Sequence, residues 1–510
     1  MAWDHPRGEG EARAAGVLRE AYELQGFSRM DPIDGQWLDP AFSAVYETLL
    51  VGAGDGKVEP ALASSLEADA DHLGWTLTLP PSITFHSGTP CDAAAVALVL
   101  DAARDPSQGV NASMWGPVKG VEVIDSTTLH IVLDHPYANL PNVLRSYHTA
   151  VFNDASRRSL GSEYGNGTVD ATGPFLLSRW ETDLVEARRW DSYPGSNAPS
   201  YGNGGIAHLR AIQWLAIPDD LARVEALEQG TVDCVRALPA AMVDRVVAHE
   251  DLAVASAEED SGYYLALNFQ RADLRFDDAR VRRAVSHAID RNALVDRVFG
   301  GYATPGYGPA GPGYVYYEPK VEATNKFDPR LAAQLLDDAG LGLDDSGVRI
   351  VCDALAPDWP EMRACADAVA EMLARVGVVL RFDHRDPTKF FYDLESHPPA
   401  FLSRWLWPDQ LDAIAVFSAS RAQPVPNWQF ASIGALDHVY EEFDRASDDA
   451  GLRTAAQQAQ LLVSKDLPYI PLATPHAIWA HHRDVVGWQP QGPNLYHPYH
   501  DVRISDTTRA

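Results

Sequence analysis

The chain has 510 residues, 46% of them hydrophobic and 22% charged, with a formal charge of −30 and a pI near 4.8. That length exceeds one compact core and points to two or three domains, while the acidic balance excludes nucleic acid and anionic lipid as partners. No run approaches the roughly 18–20 apolar residues of a membrane span, and the four cysteines show neither CxxC nor metal-finger spacing.

The opening MAWDHPRGEGEARAAG is polar and lacks the apolar centre of a signal peptide. VLREAYEL (17–24) reads as a strand followed by the loop GFSRMDPIDGQWLDP, and AVYETLLV (44–51) as a helix or strand entry. Between 62 and 96, alternating Trp75, Leu77, Leu79, Ile83 and Phe85 predict extended chain. The turn Ser87-Gly88-Thr89-Pro90 stops it, and Asp92 is placed to cap an Ala/Val/Leu helix. VEVIDSTTLHIVLDHPY (121–137) reads as a hairpin turning at Asp-Ser, so 46–170 forms a small α+β unit.

Gly173-Pro174 breaks the chain before a strand pair from Phe175 that returns at 184–188. The segment 212–239 then reads strand, helix, Gly230, strand, with Leu221, Val224 and Leu227 on the helix's apolar face. From 263, the spacing of Val281, Ala284, Val285, Ala288 and Ile289 predicts the longest helix, capped by Asp277 or Asp278 and ended by Gly300-Gly301. Arg280, Arg282 and Arg283 fall on its solvated face. Gly306, Gly308 and Gly311 have G-x-G-x-x-G spacing, but Pro312 and Gly313 follow instead of a helix N-terminus, so no phosphate loop is expected. A βαβ unit comes next: strand 348–355, a helix from about 359 to 376 with Asp358 and Glu361 in a capping-box pattern, and strand 378–383. Cys365 reads as a buried thiol on that helix, with a Cys352–Cys365 disulfide as the alternative. Helices near 433–446 and 451–465 precede PYIPLATPHAIWAH (468–481), and the adjacent His481 and His482 read as surface groups.

Several of these stretches, in this order, resemble one family. PALASS, the WTLTL strand and FHSGTP stand before the first helix; ATGPFLL opens the hairpin; ALEQGTVD closes the 212–239 unit; and LNF…RFDDARVRRAVSHAIDR spans the predicted long helix. The chain is similar to the family 5 bacterial solute-binding proteins, the extracytoplasmic receptors of peptide, nickel and oligosaccharide ABC importers. The resemblance implies an α/β, two-lobed periplasmic-binding-protein-like fold in its large form, with an extra small α+β domain inserted in the first lobe. It divides the chain into 1–45 (lobe I), 46–170 (small domain), 171–261 (lobe I), 262–472 (lobe II) and 473–510 (return to lobe I). It further implies a small solute or peptide as ligand, an ABC permease as partner, a monomer, no cofactor and no metal. Peptide or amino-acid-like solutes lead the expected ligands, with an oligosaccharide as the alternative. Location is expected to be extracytoplasmic with the export signal absent from this sequence. The alternative is a cytoplasmic protein reusing the fold for sensing, chaperoning or chemistry.

No G-x-S-x-G, H-E-x-x-H, P-loop or Cys/His pair marks an enzyme. Binding residues are expected instead in a cleft with apolar walls and a few placed polar groups. Where peptide-binding members carry G-W-x-x-D-Y-x-D-P, with an acidic residue meeting the ligand amine, this chain has Arg404-Trp405-Leu406-Trp407-Pro408-Asp409 with altered spacing. Trp405 and Trp407, two apart, either stack on ligand or sit in the core. Arg404 pairs either a ligand carboxylate or a neighbouring aspartate. Asp409 stands for the amine anchor, and Asn427 and Trp428 for the family's second cleft segment. Tyr264, Asn268, Ser28 and Arg29 complete the set implied by the resemblance.

Overall fold

A computed structural model describes residues 16–23, 27–35, 40–53, 57–109, 112–259, 261–387, 389–406, 418–488 and 498–505. Its backbone is organised by a twelve-stranded sheet that passes through both lobes. In lobe I, strand Val17–Tyr22 lies parallel to Ala211–Ala216 on one side and Cys234–Val235 on the other, and the hairpin Phe175–Trp180/Leu184–Arg189 extends the edge. In lobe II, Ile350–Pro357 runs parallel to Val378–Arg385 and to Ala400–Leu406, giving the predicted βαβ unit with helix Pro360–Ala374. Two long segments join the halves. Strand Ile470–His482 pairs with Ser261–Leu267 at its start and with Leu252–Glu258 from His476 onward. It runs unbroken through position 472/473 because each half finds a separate partner row for its backbone groups.

A separate four-stranded sheet carries the small unit, whose core joins that of lobe I through residues such as Leu77, Phe85, Leu129 and Ile131. Helix Ala93–Arg104 packs on it, and Asp92 accepts from Ala95 N at 2.9 Å, satisfying one of the helix's orphan donors. The unit also reaches lobe II, where Ala138 N donates to Ala446 O at 2.8 Å. The chain's end returns to lobe I around a buried carboxylate. Glu20, 0% exposed, pairs with Arg236 and accepts from Trp488 Nε1 (3.0 Å) and Tyr499 OH (2.7 Å). Such a buried charge is tolerable because each oxygen has donors.

Several sequence expectations need correction. The predicted long helix is two, Ala279–His287 and Arg291–Phe299, because the Asp290 side chain accepts from Ala293 N and caps a new start. The longest described helix is Asp449–Asp466. Arg282 is not solvated: it is 4% exposed and donates to the carbonyls of Phe276, Asp277, Asp466 and Leu467, so it closes the end of that longest helix. Leu221 is 44% exposed, and the buried face of its helix is Arg223, Val224 and Leu227. Asp358 makes no cap; its carboxylate pairs with Arg363, and Trp359 takes the N-cap position without a side-chain bond. His482 is buried against Leu227 O (2.9 Å) instead of lying at the surface, and His481 sits at the edge of the Trp488 ring. All four cysteines are free and buried.

Candidate functional site

In open α/β sheets, ligands bind beyond the carboxyl ends of the parallel strands. In lobe II that rule selects the ends of Ile350–Pro357, Val378–Arg385 and Ala400–Leu406. Strand Ser261–Leu267 is antiparallel to Ala400–Leu406, so its start meets the other's end: Gly262 faces Trp405 and Tyr263 faces Arg404. This corner adjoins the end of strand Leu252–Glu258, after which the chain enters Ser261–Leu267 in the other lobe.

Successive strand residues point to opposite faces, and the corner accordingly has two characters. On one face Trp405, 3% exposed, lies over the backbone of Gly262, where an added Cβ would come within 2.8 Å of the indole Nε1. Only glycine leaves room for the ring there. A cavity of about 10 Å³, room for roughly one water, lies against Gly262, Tyr264, Trp405, Gly306, Gly308 and Tyr469. Tyr264 packs on Tyr469 (centroids 5.2 Å) and Phe401 (6.0 Å), and burial pushes its hydroxyl up from the ordinary tyrosine value. Trp428 joins the same cluster through Phe401 (6.4 Å) and Phe391 (5.7 Å).

On the other face Arg404 pairs with Glu259, and its Nε donates to Ser261 Oγ at 3.3 Å. Ser261 Oγ in turn donates to Glu259 Oε2 at 2.9 Å. The guanidinium lies 5.8 Å from the Tyr263 ring centroid, and Tyr263 OH donates to Glu361 Oε2 at 3.3 Å. Burial alone would lower the Arg404 pKa, but Glu259, Tyr263 and Glu361 raise it above the usual arginine value. The group is therefore always charged. At the crossing itself, Glu258 accepts from Gly313 N (2.7 Å) and Thr304 Oγ1 (2.5 Å).

Of the residues expected from sequence, the fold thus brings Trp405, Tyr264 and Trp428 into one aromatic cluster and sets Arg404 behind it. Trp407 and Asp409 lie outside the described residues. Asn427 is 0% exposed, with its amide spent on Ala419 O and Ala431 O and its oxygen on Ala431 N. Asn268 sits at the far end of its strand, donating to His397 O and Pro398 O. Arg29, beside exposed Ser28, ties the loop after the first strand to the small unit through Tyr164 O (2.7 Å) and Gly161 O (3.1 Å) and pairs with Asp31 and Asp34 of its own loop. Glu259, Ser261, Gly262, Tyr263 and Tyr469 were not singled out by sequence. A glycine immediately before paired tyrosines at a strand start was their one available signal.

Two lobes joined by crossing strands, with aromatic and charged groups at the carboxyl ends facing the crossing, define a periplasmic-binding-protein fold. Solved structures agree. The chain aligns over 96% of its length with a substrate-binding protein, CtaP, from Listeria monocytogenes (TM-score 0.83, 20% identity, all of that chain). It also aligns over 96% of its length with DppA from Helicobacter pylori in complex with the peptide STSA (TM-score 0.79, 21% identity, 98% of that chain). Residues 57–423 match the bacterial extracellular solute-binding proteins, family 5 Middle, and the chain belongs to that family. It is the substrate-binding component of an ABC importer. Among curated relatives, the glutathione-binding protein GsiB of Escherichia coli K12 is 26% identical over 481 residues, spanning 91% of this chain and 90% of its own.

Proposed function

We propose that the protein captures a peptide or another amino-acid-derived solute and presents it, enclosed between the lobes, to a membrane permease. The observation that carries this reading is the corner itself: a permanently charged Arg404 with Glu259 on one strand face, and the Trp405–Tyr264 aromatic cluster on the other. Aromatic surface supplies affinity for side chains, and placed charges orient a zwitterion. The relatives support the same class, being named for glutathione or solved with the peptide STSA, Met-Leu or nickel bound to L-His. Ligand contacts to both lobes would favour the closed arrangement over the open one by their differential affinity. On this reading it works outside the cytoplasm, in keeping with the family's description as extracellular, and as a monomer.

A thermal-shift screen tests this. Glutathione, short peptides, free amino acids, nickel with L-His and oligosaccharides are each added to the purified protein. A solute at about 100 times its dissociation constant adds roughly 2.7 kcal/mol. A rise in melting temperature with peptides or glutathione supports the reading; a rise with oligosaccharides alone overturns it.

A further inference from the structure

The small unit is inserted in lobe I and shares its core, yet it also touches lobe II, through the segment that follows strand Thr128–Leu133. Tyr137, 6% exposed, pins that segment to its own unit by donating from its hydroxyl to Met114 O at 3.1 Å. Ala138 is the point of contact. Its N–H donates to Ala446 O at 2.8 Å, and its side chain packs against the lobe II cluster that contains Phe443, Ala446 and Leu452. Ala446 stands in the tight turn between helices Gly434–Asp444 and Asp449–Asp466, where its N–H donates to Phe443 O (3.1 Å) and Asp448 caps the second helix. Its carbonyl lies past the end of the first helix and accepts from outside that helix. Both sides of the contact are therefore held firmly by their own lobe.

Charges alternate across the same seam. Lys119 foremost, then His135 and Arg445 of lobe II, hold the Asp134 carboxyl below its ordinary value. Burial raises that of Asp444, opposed by Arg421 and by His135 of the small unit. Each carboxylate thus has a basic group of the other lobe acting on it. The seam is nevertheless slight: one backbone bond, one alanine side chain, and charges that water reaches, since Asp134 and Arg445 are both exposed. Parting it uncovers little apolar surface.

We propose that residues 134–138 are a clasp, which meets the 444–446 turn when the lobes close and parts from it when the cleft opens. The small unit moves with lobe I, whose core it shares, and Ala446 moves with lobe II. A contact made in only one of two arrangements shifts the population toward that arrangement by its own free energy. The inserted unit therefore sets how often the receptor closes, whichever solute it carries.

Small-angle X-ray scattering of the full chain, with nothing added, tests this on a locked and a wedged form. In the locked form, Ala138→Cys with Ala446→Cys is bridged by a short bismaleimide; the direct N–H to O contact brings the two positions together, and the four native thiols are buried and spared. In the wedged form, Ala138→Trp sets a bulky side chain where lobe II covers Ala138. Arg445→Glu, at an exposed position, sets a like charge beside Asp134 and Asp444, and it decides the matter where circular dichroism shows that the tryptophan prevents folding. The locked form is expected near the roughly 24 Å radius of gyration of a compact chain of this length, and the wedged form several per cent above it. Equal radii in the locked and the opened variant overturn the inference. So does a cysteine pair that cannot be bridged in the folded protein, because the two positions then never meet. Since no ligand is present, a failure here leaves the peptide reading standing, and a failure of the peptide reading leaves the clasp standing.

Discussion

Glu47 offers the sharpest test of the energetics in this structure. It is 5% exposed, at the junction where the small unit meets lobe I and the returning tail. Tyr193 OH donates to its Oε1 at 2.5 Å and lies 3.0 Å from His500 Nε2. Burial pushes the carboxyl up from 4.5 to about 8, with Tyr193 and Thr172 opposing the shift. The folded state therefore holds this proton more tightly than the unfolded chain does. Stability is greatest below the unfolded value and falls as pH rises through the window from 4.5 to about 8. At about 1.4 kcal/mol per unit, the loss between pH 5 and pH 8 is about 3–4 kcal/mol. Glu47→Gln keeps an oxygen for Tyr193 and has no proton to lose. Its melting temperature should thus gain on the wild type as pH rises.

With about 2.1 cal/mol/K of unfolding entropy per residue over 510 residues, the relative gain from pH 5 to pH 8 is roughly 3 °C. His500 works in the other direction: burial lowers its pKa from 6.5 to about 4, so it costs stability as pH falls from 6.5 through 4. Comparing variant with wild type at each pH cancels that contribution. Scanning calorimetry at pH 5, 6, 7 and 8 makes the measurement. A melting-temperature difference that stays constant across those four values would refute the reasoning, because it would mean the carboxyl titrates alike in both states.

Arg291 is 1% exposed, and its guanidinium donates to Gly306 O (2.6 Å), Pro471 O (3.0 Å), Ser286 O (3.0 Å) and Ser286 Oγ (2.8 Å), with burial lowering its pKa to about 10. Arg291→Met should strand those carbonyls and cost about 3–5 kcal/mol in denaturant melts, and Arg291→Lys should recover little because an ammonium cannot reproduce the planar fork. The four buried thiols, with those of Cys352 and Cys365 pushed up to about 12, should resist a thiol reagent in the native protein and all react once it is unfolded; fewer than four reactive thiols in the unfolded, unreduced chain would show a disulfide.

What the sequence made legible was local. Asp92 caps its helix because the cap bond spans only three residues, to Ala95 N. The hairpins and the βαβ unit followed from alternation, and the ordered stretches pointed to the family and so to two lobes. Reading failed where a side chain took a partner that helix periodicity does not encode. Arg363 diverted Asp358 from its cap, and the carbonyls of Ile217, Pro218 and Ala237 made room for Arg223 where apolar spacing preferred Leu221. Apolar spacing also carried the 279–299 helix through Asp290, since Leu294 and Val295 continue a plausible face even though the helix restarts there.

The candidate site shows the same division more strongly. Trp405 and Tyr264 could be named because aromatic residues in strands are conspicuous, but their meeting depends on the register of two strands 140 residues apart, which sets Trp405 opposite Gly262 and not opposite Tyr264. Shifting that register by one residue would carry every side chain to the other face: Trp405 would move to the side of Glu361 and Phe299, and Arg404 into the aromatic cluster, where a charge has no partner. Gly262 resists the slip, since only a residue without a side chain leaves space for the indole. The Arg404–Glu259 pair resists it from the opposite face, because it keeps the guanidinium at the crossing. Local sequence marks the glycine before the paired tyrosines but not what lies opposite it; the two constraints become visible only when the strands are laid side by side, and together they fix which face of the corner is aromatic and which is charged.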